Sequence, residues 1–78
     1  MQKAYVLLKA TIGREKELLD EMNTIPEVKE IHRVLGVYDL VLLVEADSED
    51  DLNQVIQQRI RSLDAVHSTI TMAVCPGA

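Results

Sequence analysis

The chain has 78 residues, 47% of them hydrophobic and 27% charged, with two Tyr, no Phe and no Trp. That is one domain at most, and a chain this short buries only roughly 60–65% of the surface its unfolded form exposes. Eight Lys and Arg against thirteen Asp and Glu leave a net charge of −5. The cations are scattered from Lys3 to Arg61 and form no basic stripe, so direct nucleic-acid binding is not expected.

Cys75 is alone, which excludes a disulfide, and with His32 and His67 it makes no ligand cluster, so neither metal nor cofactor is expected. Of the usual supports for a small domain, self-association remains. No apolar run approaches the ~18 residues of a membrane helix. The N-terminal residues show no cleavage-site pattern. A cytoplasmic protein with no membrane partner is expected.

In chain order, residues 4–11 (AYVLLKAT) read as a strand, and Gly13 punctuates. Leu18, Leu19, Met22 and Ile25 then follow helical spacing from Arg14 to Thr24, ahead of Pro26. Residues 28–35 form a second strand of mixed polarity, Gly36–Asp39 a tight connection, and Leu40–Ala46 an apolar strand buried on both faces. Ser48, followed by Glu49, Asp50 and Asp51, is a strong helix start. Leu52, Val55, Ile56, Arg59, Ile60 and Leu63 carry that helix onward, and a β-branched strand spans Ala65–Cys75 before Pro76-Gly77.

The order β-α-β-β-α-β predicts an α+β, ferredoxin-like sandwich: a four-stranded antiparallel sheet in order 4-1-3-2 with both helices on one face. Alternation assigns Ala4, Val6, Leu8 and Ala10 to the helix side, with Leu40, Leu42 and Val44, and with Ile70, Met72 and Val74. The opposite face then carries Tyr5, Leu7, Val41 and Leu43 beside Thr69, Thr71 and Ala73. Two helices cannot cover both faces, so the open one is expected to pack against a second copy, with Tyr5, Leu7, Val41 and Leu43 as the dimer interface.

No Ser, His and acid stand at a recognisable catalytic spacing, and no catalytic residue is assigned. The Gly36–Asp39 turn has two readings. One is a hairpin in which Gly36 supplies an unusual dihedral and Asp39 bonds local amides. The other is a recognition corner for a free α-amino acid. In it the amides of Gly36, Val37, Tyr38, Asp39 and Leu40 hold a carboxylate, Asp39 an ammonium, and the Tyr38 ring an apolar body. Thr69 and Thr71 would add hydroxyls.

Pro26-Glu27-Val28 stands before the second strand, Gly36, Tyr38 and Asp39 form a G-x-Y-D turn, and a helix start runs from Ser48 to Leu52 after Asp47. Val66, Thr69 and Thr71 make a V-x-x-T-x-T final strand. In the order and spacing of these motifs, over nearly its whole length, the chain resembles the effector-binding half of the leucine-responsive (Lrp/AsnC) transcription regulators, the RAM domain. The resemblance implies sheet-to-sheet dimers assembled into rings, often octamers, with an amino-acid effector bound between dimers near the turn. Regulators of the family carry an N-terminal helix-turn-helix, whereas this chain opens on its first strand, so a stand-alone single domain over residues 1–78 is expected, modulating full-length Lrp/AsnC regulators through mixed assembly. Two other readings use this topology: a small dimeric α+β barrel enzyme of oxygenase or isomerase type, and an ACT-like amino-acid sensor.

Overall fold

The computed structural model describes residues 1–75, so the predicted Pro76-Gly77 stop lies outside them. Four strands, β1 (Gln2–Ala10), β2 (Val28–Arg33), β3 (Leu40–Ala46) and β4 (Val66–Ala73), form one sheet in the order β2-β3-β1-β4. All three pairings are antiparallel. Helix α1 (Glu15–Met22) joins β1 to β2, and α2 (Glu49–Gln54) follows β3. This is the predicted sandwich, and it leaves His32 and His67 on opposite edge strands.

The first strand begins two residues earlier than expected, because Gln2 and Lys3 pair with Ala46 and Glu45. Gly13, at a φ of +83°, turns the chain from β1 into α1. On α1, Leu18 and Met22 are fully buried and Leu19 partly so, while Ile25, beyond the helix's end, is nearly buried. Ser48 caps α2: its Oγ accepts the Asp51 N–H at 3.1 Å.

The second helix is not α-helical throughout. From Val55 to Ile60 it widens into a π-helix, with the Arg61 N–H donating to the Ile56 carbonyl five residues back. The buried positions explain the change. Leu52, Ile56 and Ile60 face the core at a strict four-residue spacing, which drifts about 40° per step around an α-helix. A wider turn removes that drift and keeps Ile60 above the sheet.

The core lies between sheet and helices and is aliphatic. Ala4, Val6, Leu8, Leu18, Met22, Leu42, Val44 and Ile60 are wholly inaccessible.

The face assignment on β4 is the principal correction. Val66 pairs with Ala10 and packs against the core, but Ser68 pairs with Lys9, which leaves His67 unpaired in a β-bulge. The extra residue inverts the alternation beyond it. Thr69, Thr71 and Ala73 therefore align with Leu8, Val6 and Ala4 on the helix side, while Ile70 and Met72 align with Leu7 and Tyr5 on the open face. Ile70 is 44% and Met72 49% exposed. So Ile70 and Met72 do not face the helices, Thr69 and Thr71 are not on the open face, and Val74 lies past the strand's end. A matching bulge at Lys29 inverts β2, where Val28 and Ile31 both reach the core. Bulges on both edge strands also discourage edge-to-edge pairing.

Candidate functional site: a cleft beside the turn between β2 and β3

The residues joining β2 to β3 are clamped to the end of β1. The Val34 N–H donates to the Asp39 carbonyl at 3.0 Å, closing the connection on itself. The Asp39 N–H donates to the Leu8 carbonyl at 2.8 Å. Asp39 Oδ2 accepts the Ala10 N–H at 2.7 Å, and Lys9 Nζ donates to the Val37 carbonyl at 3.2 Å. The amide that Asp39 holds is thus on a neighbouring strand rather than local. Gly36 has a φ of +138°, a conformation that side chains rarely adopt. The N–H groups of Gly36, Val37 and Tyr38 donate to no acceptor among the described residues. Tyr38 and Asp39 are half-buried.

Beside this turn lies a cleft of about 580 Å³ lined by Ala10, Glu15, Arg33, Val34, Leu35, Asp39 and Leu40. It exists because β1 and β3 are neighbours. The start of α1, leaving the end of β1, is thereby set next to the loop that enters β3. Its lining combines aliphatic side chains with both signs of charge. That combination suits a small molecule with an apolar body and ionised groups.

Of the residues singled out in the sequence, Asp39 and Leu40 line the cleft, with Gly36, Val37 and Tyr38 in the adjoining turn. Thr69 and Thr71 do not line it. Thr69 stands opposite Leu8, which stands opposite Leu40, a separation of about 9–10 Å across two strand spacings. Thr71 lines a separate cleft of about 230 Å³ between β4 and α2, with Lys3, Asn53 and Cys75. One chain therefore does not bring the turn and the threonines together. Sequence reasoning missed Ala10, Glu15, Arg33, Val34 and Leu35. The predicted strand order held the signal for Glu15, since it already placed the start of α1 beside the turn.

The open face of the sheet carries Tyr5, Leu7, Val41, Leu43, Ile70 and Met72 in adjacent registers. Leu43 is only 8% exposed because its neighbours already crowd it, whereas Tyr5 is 43% exposed. The inverted phase of β4 makes this face more apolar than predicted.

The family model for the Lrp/AsnC ligand binding domain matches residues 3–75. The HTH-type transcriptional regulator FL11 of Pyrococcus furiosus is 28% identical over 71 residues, 91% of this chain and 46% of that protein. The chain thus spans less than half the length of that regulator. A homocitrate synthase of Sulfurisphaera tokodaii is 42% identical over 53 residues, 68% of this chain but 11% of the enzyme. Among solved structures, FFRP-DM1 superposes with a TM-score of 0.93 at 37% identity, over 96% of this chain and 100% of that one. A transcriptional regulator of Neisseria meningitidis solved as an L-Met complex, NMB0573, has the same fold. Its TM-score is 0.88 at 13% identity, over 97% of this chain and 51% of that one. No helix of the described residues is long and apolar enough to cross a membrane.

Proposed function

Because the chain belongs to the Lrp/AsnC ligand-binding domain family, we propose that it is an oligomeric regulatory domain that binds a free amino acid beside the Gly36–Asp39 turn. One observation carries the reading: the cleft joins an anionic group, Asp39, a cationic group, Arg33, and the aliphatic Val34, Leu35 and Leu40. An α-amino acid has the complementary parts. Its carboxylate pairs with Arg33 or with the unpartnered turn amides, its ammonium with Asp39, and its side chain with the aliphatic wall. The regulator solved with L-Met has this fold, which supports the ligand class.

Assembly belongs to the same reading. The open sheet face packs against a second copy through Tyr5, Leu7, Val41 and Leu43, now joined by Ile70 and Met72. Ile12, Leu35 and Val37 are strongly exposed around the cleft and supply a second contact, by which dimers form a ring and neighbours close the site. Thr69 and Thr71 enter the site from such a neighbour. Mixed assembly with full-length regulators is the regulatory output.

The role is binding rather than catalysis. Aliphatic side chains fill the space between sheet and helices, where a dimeric α+β barrel enzyme places its reactive groups. The match to one ninth of a homocitrate synthase suits a sensing module carried by an enzyme as well as by regulators.

A thermal-shift series with the twenty amino acids at millimolar concentration tests the proposal. A bound effector raises the melting temperature by mass action, and Asp39→Asn abolishes the shift. Binding by none of the twenty overturns the reading.

A further inference from the structure

Three ionisable side chains from separate parts of the chain ring the cleft: Glu15 opens α1, Arg33 ends β2, and Asp39 precedes β3. Together the two carboxylates and one guanidinium carry a formal net charge of −1. None of the three is neutralised by a protein partner. The ion pairs Arg14–Glu17 and Lys16–Asp20 and the His32–Glu30 hydrogen bond all lie outside the cleft. Asp39 gives one oxygen to the Ala10 N–H, and its other oxygen accepts no bond among the described residues. Glu15 makes only a long contact, 3.4 Å, to the Gly13 N–H. Lys9 does not line the cleft; its ammonium is on the Val37 carbonyl.

A zwitterionic amino acid satisfies one charge of each sign, its carboxylate on Arg33 and its ammonium on Asp39. Glu15 is then left over, beside a wall of Ala10, Val34, Leu35 and Leu40. The complement of a surplus carboxylate next to an apolar wall is a cation at the end of an aliphatic stem. On the amino-acid reading above, we infer that the preferred effector is a cationic amino acid of the lysine, ornithine or arginine type, with Glu15 as its specificity-determining residue.

Calorimetric titration of the assembled chain with L-lysine, L-norleucine and L-glutamate tests this, norleucine being lysine without its ε-ammonium. Lysine binds at least about tenfold more tightly than norleucine, as expected of a charge-assisted hydrogen bond. Glu15→Gln brings that ratio close to one, whereas Glu17→Gln, on the α1 residue paired with Arg14, preserves it. Norleucine or glutamate binding the wild type as tightly as lysine overturns the inference and leaves amino-acid sensing in place. A lysine preference that survives Glu15→Gln does the same. Binding by no amino acid at all overturns both.

Discussion

Asp39 Oδ2 and the Ala10 N–H, 29 positions apart in sequence, meet at 2.7 Å and tie the β2–β3 connection to the end of β1. The same carboxylate lines the cleft with its other oxygen exposed to a ligand. One side chain therefore serves the fold and the proposed site together, and its two roles separate by substitution. Asp39→Ala leaves the nearly buried Ala10 amide without its acceptor and costs about 1–2 kcal/mol. Asp39→Asn keeps an acceptor oxygen, so it retains most of the stability while losing effector binding. Urea unfolding of both variants beside calorimetry distinguishes the roles; equal stability of Asp39→Ala and wild type would show that the bond contributes nothing.

Gly36 offers a separate test of the turn. A Cβ placed there meets nothing within 4 Å, but the φ of +138° is one that side chains avoid. Gly36→Ala is therefore expected to destabilise by about 1–2 kcal/mol through backbone strain alone. A thermal melt unchanged from wild type would mean that the turn relaxes without cost.

The open face gives a prediction that depends on the bulge at His67. Ile70→Asp places a charge on the open face beside Leu7 and Met72 and, like Leu7→Asp, is expected to dissociate the proposed dimer. Thr71→Asp, on the opposite face, leaves it associated. Sedimentation velocity decides. The reverse result, a monomer from Thr71→Asp and an intact dimer from Ile70→Asp, would restore the unbulged phase of β4.

Leu8 and Leu42 are wholly buried in the layer between sheet and helices. Truncating either to Ala costs about 2.7–5 kcal/mol, a large part of the 5–15 kcal/mol that stabilises a typical domain. Each variant is expected to show a lowered melting temperature, with recovery on raising the protein concentration if association adds stability. A melting temperature within a degree of wild type would contradict their place in the core.

Ser48→Ala removes the oxygen that accepts the Asp51 N–H at 3.1 Å and is expected to cost about 1 kcal/mol. The loss should appear in urea unfolding. Ser48→Asp restores an acceptor at the same position and should recover most of it.

Much of this was legible in the residues, for a physical reason. Burial of one face per element imposes a period on the chain. Leu18 and Met22 on α1, or Val6 and Leu8 on β1, therefore declare their direction without knowledge of their neighbours. The Ser48 cap and the Gly36 turn are equally local, each set by a side chain or a dihedral within a few residues. The cleft was only half legible. Asp39 stood out because it adjoins an unusual turn, but Glu15 and Arg33 are ordinary surface residues in sequence. They become a site only because β1 and β3 are neighbours.

The sequence by itself determined the element order, the strand order and the aliphatic core, because these follow from periodicity and from the few ways six elements can bury it. Tertiary structure alone decided which face β4 presents. One unpaired residue, His67, shifts the pairing between Lys9 and Ala10 and turns Ile70 and Met72 outward. Alternation over Val66–Ala73 carries no mark of that insertion, since a bulge is defined by the partner strand. The same bulge sets Thr69 and Thr71 on the helix side, while their distance from the turn follows from the strand order, in which β1 lies between β4 and β3.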